Sequence, residues 1–597
     1  MECFRGAATI AAGQDPSAGS DRAADGVDDR DRVFRRGIEC GEGFIEPAAA
    51  VRQEAGEIGL MTHRLGLGSG GGVHHVDGRG WSESGSIGRR SESRSHCLRI
   101  PSASNSGSGP LVPDFVAQDR STMAGSTHHA RTGSNRTFRH ESRISAPVAE
   151  LADWHFRQGA LDRLLPPWQD VRVIEDAGPM RVGAETVLSV PLGPIRKAWR
   201  ARIDEAVRGE HFVDVQVSGP FGAWRHEHRF EADVDGDVGA SRLIDSIQYR
   251  MPLAPFGNVG AGFARKDLEK LFGWRHWRTS NDLRRHLEEG PGRPLLVVVT
   301  GASGLIGRQL VAFLRTGGHE VRTLVRREPA RDAGEYRWNP EAGSIDASVF
   351  DGADAVVHLA GAGIADERWT DERMRVLRES RTKGTTLLAE TLAGLDRPPA
   401  VLVSASAVGI YGDRPEVVDD SSSLGEGWLA QVAIDWEAAA EPARAAGIRV
   451  VHPRIGIVLT PKGGALGKML LPFRLGAGGR LGTGRQGMSW IGMDDLLGIL
   501  HRTIVDESLE GPINATAPEP VTQIDFARTL GRVLRRPAVA PLPAFVARAL
   551  FGRMAEPLLL EGVLAEPSTL EAKGFRFETP QLEGCLRMLL HGVTPPD

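Results

Sequence analysis

The chain has 597 residues, 25% charged and 41% apolar, with a net charge of −5, which suits a globular protein of roughly three or four domains. That balance leaves no basic excess for nucleic acid, and no apolar run reaches the ~20 residues of a membrane span. Four cysteines without a Cys-x-x-Cys pair make no disulfide framework. Seven lysines stand against 65 arginines, and the tyrosines are only Tyr249, Tyr336 and Tyr411, so a mechanism that needs a Tyr–Lys pair has few places to sit.

Residues 1–134 lack lysine and tyrosine and are dense in Gly, Ser, Arg, Asp and His. No apolar period is sustained there, which predicts a disordered, low-complexity leader. It reads either as a gene-model artefact upstream of a start at Met123 or as a regulatory tail. No secretory signal opens the sequence, so a cytoplasmic location is expected.

From residue 135 the pattern becomes orderly. Phe138–Ile144 reads as a strand, and Ser145-Ala146-Pro147 opens a helix running through Phe156. Trp199, Ala201 and Ile203 alternate with charged residues, and Val213, Val215 and Val217 alternate with Asp214 and Gln216. This period of two predicts antiparallel strands with one dry face. Residues 260–289 predict a long helix with Leu268, Leu271 and Phe272 on one stripe. The run Gly219–Glu231, followed by Leu243–Tyr249, resembles the SRPBCC (START-like, polyketide-cyclase-like) helix-grip family over about residues 136–289. The resemblance implies an α+β domain, residues 135–290, that holds an apolar ligand between its sheet and its long helix. His226 and His228 share a face with Trp224 and Phe230 and would line that cavity or serve as structural histidines. A His-x-His pair on a strand also suits a metal, but the sequence offers no third ligand, so no metal is expected.

Leu295–Thr300 is a continuous apolar run fit for a buried parallel strand. It leads into Gly301-Ala302-Ser303-Gly304-Leu305-Ile306-Gly307 and then an amphipathic helix carrying Ile306, Leu310, Phe313 and Leu314. In this order the glycines permit a tight turn, a close backbone approach to a pyrophosphate and helix packing. The next strand, Val321–Arg326, ends in Arg326 and Arg327 rather than an acid. Guanidinium groups suit a 2′-phosphate, so NADP(H) is favoured over NAD(H). Further strands at Asp354–Gly361 and Ala400–Ser406 complete the rhythm of a doubly wound parallel sheet.

Several separated motifs resemble the NAD(P)-dependent epimerase/dehydratase branch of the short-chain dehydrogenases, and within it the atypical "epimerase family". These are Arg368-Trp369-Thr370, Ser380–Thr385, Asp435-Trp436-Glu437, Gly463–Leu466, Ser489-Trp490-Ile491 and Asn514–Thr522. The resemblance implies an α/β doubly wound Rossmann domain over residues 291–535 and a small C-terminal domain over 536–597. The cofactor contacts expected are Thr300, Gly301, Ser303, Gly304, Leu305, Ile306, Gly307, Arg326, Arg327, Leu359, Ala360, Gly361, Arg381 and Arg454.

Ordinary members of that superfamily use a Tyr-x-x-x-Lys pair to move a proton. No tyrosine here has lysine four residues on, and the family's Tyr and Lys positions fall at about Leu429 and Ala433. Ser404, Ser406, Tyr411 and Lys383 are the substitute catalytic candidates. Three functions stay open: an NADP(H)-dependent oxidoreductase or epimerase-like enzyme acting on an unknown small molecule, a catalytically silent NADP(H) sensor or scaffold, and a carrier of a hydrophobic ligand fused to a dinucleotide domain.

Overall fold

The computed structural model describes residues 135–595, apart from Val234 and the segment 253–260; the expected leader lies outside these residues. The first part is a seven-stranded antiparallel sheet crossed by one long helix. Strand β1 (Arg136–Ile144) is followed by helices α1 (Val148–Phe156) and α2 (Ala160–Leu164). The meander β2 (Arg172–Glu175), β3 (Glu185–Leu192), β4 (Ile195–Val207), β5 (His211–Ser218), β6 (Ala223–Ala232) and β7 (Ser241–Arg250) comes next, and α3 (Ala261–Glu288) closes the unit. The sheet order is β1-β7-β6-β5-β4-β3-β2. On the face toward α3, Phe138, Trp224, Ile247, Tyr249, Leu268 and Phe272 form one apolar cluster. Ile144, Leu151, Trp154, Phe212, Phe230 and Leu283 form another.

The element positions agree with the sequence, but the parity of β5 does not. Asp214 is paired directly with His226 and shares the inner face, while Val213 sits opposite Glu227 on the other. Val217 is exposed, and Trp199, Ala201 and Ile203 are only half-buried. Alternation reveals a strand's period; which of its two faces meets the core is set by register with its neighbours.

The second part is a nine-stranded sheet, parallel except at its β10–β11 edge. Its elements begin with β8 (Leu296–Thr300), α4 (Leu305–Thr316), β9 (Glu320–Val325), β10 (Glu335–Asn339), β11 (Ser344–Ile345), β12 (Ala355–His358) and α5 (Asp371–Ala393). They continue with β13 (Val401–Ser404), β14 (Ser406–Ala407), β15 (Val417–Val418), α6 (Trp428–Ala438), α7 (Glu441–Ala445), β16 (Arg449–Ile455), α8 (Gly464–Arg474) and α9 (Met493–Val505). The order is β11-β10-β9-β8-β12-β13-β16-β14, with Gly511–Ala515 also paired to β16. The chain reverses direction across the sheet between β8 and β12, the crevice where ligands of such sheets bind. Val297 and Val299 face the α4/α9 side, and Val298, Val356, Leu402 and Val450 face the other.

One apolar cluster runs across the expected boundaries at 290 and 535. Trp274 of α3 belongs to the same apolar cluster as β8, α4 and α9, and so do Leu582, Cys585, Leu586 and Leu589 of the tail. Two adjacent acids at the start of α9 fasten both neighbours. Asp494 takes Arg163 at 3.0 Å and also Arg278, and Arg163 is further paired with Asp282 at 2.7 Å. Asp495 accepts the backbone N–H groups of Glu578 and Thr579, the Thr579 hydroxyl, and Arg285. None of the helices among the described residues is long and apolar enough to cross a membrane.

Candidate functional site

The glycine turn lies at the exit of β8, beside the crevice. Gly301 has φ +70°, and a Cβ there would lie 2.7 Å from the backbone of Leu359; at Gly307 it would lie 2.2 Å from the carbonyl oxygen of Gly301. Neither position admits a side chain, so the turn and the end of β12 stay in backbone contact. Ser303, Gly304 and Leu305 are exposed, and no side chain caps the first turn of α4. Its first amides are therefore free for a phosphate. This bed fits a dinucleotide, and Leu359, Ala360 and Gly361 border it across the crevice.

Thr300 has a different part from the expected one. Its hydroxyl is buried, accepts the N–H groups of Leu359 and Ala360 at 3.2 Å each, and donates to His358 Nδ1 at 2.7 Å. It fixes the two strand ends and has nothing left for a cofactor. Burial alone lowers the His358 pKa to about 4, so the ring is neutral and, with Nδ1 accepting from Thr300, its proton sits on Nε2, which has no hydrogen-bond partner among the described residues. Ser404 stands next to His358 in register; its hydroxyl is fully buried and also unpartnered.

Arg326 is exposed and has no hydrogen bond or ion pair among the described residues. Arg327 is held by Glu335 instead. Arg381 is also committed, donating to the carbonyls of Leu377 (2.8 Å) and Ala362 (3.2 Å) and lying over the Trp436 ring. It props the loop after Gly361 from the protein side.

Of the catalytic candidates, Ser406 and Tyr411 are joined through Glu437 and Arg454, while Lys383 lies apart on α5. Tyr411 is fully buried; its hydroxyl donates to Asn514 Oδ1 at 2.8 Å and accepts from Arg454 at 2.9 Å. Burial, outweighing Arg454, raises its pKa further, which is the wrong direction for a proton shuttle. Arg454, expected at the cofactor, is instead gripped by Glu437 through two bonds of 2.9 and 3.0 Å. Ser406 donates to the same carboxylate at 2.7 Å. Lys383 is exposed on α5 and pairs with Glu379 at 2.8 Å. On α6, Ala433 packs against Ile410 and Tyr411, so apolar contact fills the ground where a Tyr–Lys pair would project. Ser406, Tyr411, Glu437 and Arg454 thus form one buried polar network. Long-range partners such as Asn514 leave no signal in local sequence.

The interior of the N-terminal unit also departs from expectation. The face that would line an apolar chamber carries Asp214, His226, His228 and Asp245, with His276 of α3 closing over them. His226 contacts both acids, at 3.2 Å from Asp214 and 2.8 Å from Asp245. Burial works against its proton, but Asp214 and Asp245 outweigh it and raise the pKa to about 9. Burial would raise Asp245, yet the charge of His228 and the hydrogen bonds from His226 and His276 hold it well below the usual carboxylate range.

The NAD dependent epimerase/dehydratase family matches residues 297–510, and a domain of unknown function, DUF1731, matches residues 542–589. The chain is 45% identical over 283 residues to the epimerase family protein Mb2239 of Mycobacterium bovis, covering 47% of this chain and 93% of that protein. A crystal structure of the nucleoside-diphosphate sugar epimerase from Corynebacterium glutamicum aligns with a TM-score of 0.63 at 33% identity, over 76% of this chain and 91% of that one. Residues from 291 onward are too few to supply that share, so the alignment reaches into the N-terminal unit. A crystal structure of human epimerase family protein SDR39U1 with NADPH is 34% identical over 50% of this chain and all of that one, with a TM-score of 0.46.

Proposed function

The chain belongs to the NAD-dependent epimerase/dehydratase family, and from that premise we propose that it binds NADP(H) at the Gly301–Gly307 turn. There it acts on a small molecule as an atypical short-chain oxidoreductase or epimerase-like protein of the cytoplasm. The observation that carries this reading is Arg326. It is the guanidinium at the end of β9 that is exposed and has no hydrogen bond or ion pair among the described residues, whereas Arg327 is taken by Glu335. A 2′-phosphate would engage it in charge-assisted bonds that the bare diol of NAD(H) cannot make. Once bound, the cofactor supplies hydride transfer. The chain's own residues would do the holding: the uncapped amides of α4 would receive the pyrophosphate, and the Thr300–His358 clamp fixes the strand ends that border the turn. Arg381 sets the loop at Gly361.

A second reading, a silent NADP(H) sensor or scaffold, is favoured by the commitment of Tyr411 to Asn514 and Arg454 and of Lys383 to Glu379. The N-terminal unit belongs with this proposal as a helix-grip domain. Its charged interior weighs against the carrier of a purely apolar ligand.

Fluorescence titration should show tighter binding of NADPH than NADH. Arg326→Ala should weaken NADPH about tenfold and leave NADH unchanged, as expected for one exposed charge-assisted contact. Equal affinity of the unaltered protein for both cofactors would overturn the reading. NADPH consumption across a panel of carbonyl substrates separates the two functions: turnover supports the enzyme, and tight binding with no turnover supports the sensor.

A further inference from the structure

We propose that Asp214, His226 and His228 form a binding site for one zinc-like divalent cation inside the N-terminal unit, with its fourth coordination position open to water or a small anion. The sequence showed the His-x-His pair on β6 but no third ligand. Register supplies it, because Asp214 of β5 is directly opposite His226, and Asp245 of β7 is directly opposite His228 on the other side.

Three features argue for a cation. The first is spacing. His226 Nδ1 lies 3.2 Å and His228 Nε2 3.6 Å from Asp214 Oδ1, and the three ligand atoms all fall within 4.8 Å of one another. The edge of a tetrahedron with ligand bonds near 2.0–2.1 Å is about 3.3–3.4 Å. Both separations from Asp214 are close to that edge.

The second feature is the set of supporting bonds behind the ligands. The ring nitrogen of each histidine that faces away from Asp214 meets Asp245 Oδ1, at 2.8 Å from His226 Nε2 and 2.7 Å from His228 Nδ1. The His228 contact is too bent to count as a hydrogen bond; a small ring rotation toward a metal would straighten it. His276 anchors the second oxygen of Asp245 at 2.6 Å. A carboxylate behind two histidines fixes their tautomers and raises their basicity toward a metal, the usual outer support of a histidine-bound cation.

The third feature is charge and access. Two carboxylates converge on the site, matching a dication, and Asp214 keeps 19% of its side chain exposed as a way in. A second cluster, His286, His319 and His501, has comparable spacing. It lacks a carboxylate, and Arg157, Arg163, Arg285 and Arg502 act on its rings. It serves as the control.

The proposal is independent of the dinucleotide reading. Untagged full-length protein, stripped with a chelator and titrated with zinc, should retain one zinc after desalting. Cobalt should give the strong visible absorption of a tetrahedral nitrogen–oxygen site. Asp245→Asn should weaken zinc roughly ten- to hundredfold. His228→Gln should abolish the cobalt band, and His501→Leu should leave it intact. The idea fails if the unaltered protein retains no zinc and gives no cobalt band. It also fails if the Asp214→Asn/His228→Gln double variant keeps full zinc. Because the first of these outcomes uses unaltered protein, misfolding of a variant cannot rescue the proposal.

Discussion

Replacing Asp494 with alanine should cost about 3–5 kcal/mol of folding stability, the range for breaking a buried ion pair from one side. The acid sits between Arg163, whose side chain is 1% exposed, and Arg278, whose side chain is 6% exposed. Burial pushes the Asp494 carboxyl upward, but Arg278 and Arg163 outweigh it and hold the group below its ordinary range. Without the carboxylate, Arg278 loses its only charged partner among the described residues, and Arg163 keeps only Asp282 and Gln309. The guanidinium groups cannot turn to water, since one lies in the wall formed by α2, α3 and α9 and the other stacks on Trp274. Urea unfolding of the two proteins measures the difference. A loss below about 1 kcal/mol, the value of a solvent-exposed pair, would show that water reaches the arginines.

Acidification from pH 7 to pH 5 should destabilise the protein by several kcal/mol through histidines buried as neutral rings. Burial, aided by Arg157, lowers His319 to about 4. Burial, aided by His319, Arg285 and Arg502, lowers His501 to about 3. Burial alone lowers His358 to about 4, and His286 lies well below its ordinary value for the same reason, with His501 and His319 adding to it. A histidine with a depressed folded pKa contributes its full stability above the unfolded value near 6.5. As pH falls below that value the unfolded chain takes up the proton first, and the contribution drains until the folded pKa is reached. Each ring then loses about 1.4 kcal/mol per pH unit. At pH 5 this amounts to roughly 2 kcal/mol for each of His319, His358 and His501, with His286 acting in the same direction, a total comparable to the whole stability of a marginal domain. The melting temperature between pH 7 and pH 5 tests this. His501→Leu should flatten the slope; a slope unchanged in that variant would remove His501 from the account.

The parts of this architecture set by local pattern were readable before the structure. The apolar run at Leu295–Thr300, the glycines and the amphipathic helix behind them are all in place as β8, the turn and α4. So is the long helix, expected over 260–289 and found at Ala261–Glu288. In the candidate site the tight glycine turn and the exposure of Arg326 follow from local sequence, because each depends on a few adjacent residues. The remainder depends on who faces whom. Nothing local marks Thr300 as spent on His358, or Arg454 as spent on Glu437 and Tyr411, since those partners arrive from other strands and helices. The apolar neighbours Val213 and Val215 place Asp214 on the wet face by local pattern, and only pairing with β6 turns it inward. Buried polar residues follow their partners rather than hydrophobic period.

The pairing of Arg163 with Asp494 spans 331 residues of chain, and this bears on how the protein is made. When the N-terminal sheet and α3 leave the ribosome, Asp282 is already available to Arg163, but the acid that Arg163 and Arg278 share has not yet been translated. Domains that emerge first generally fold first. Here the first to emerge must wait, with Trp274 and its arginines uncovered, until α9 is synthesised. The N-terminal unit is therefore completed only after the chain between Glu288 and α9 (Met493–Val505) has been made, and over that stretch the nascent chain carries an apolar face and two arginines that the finished protein buries.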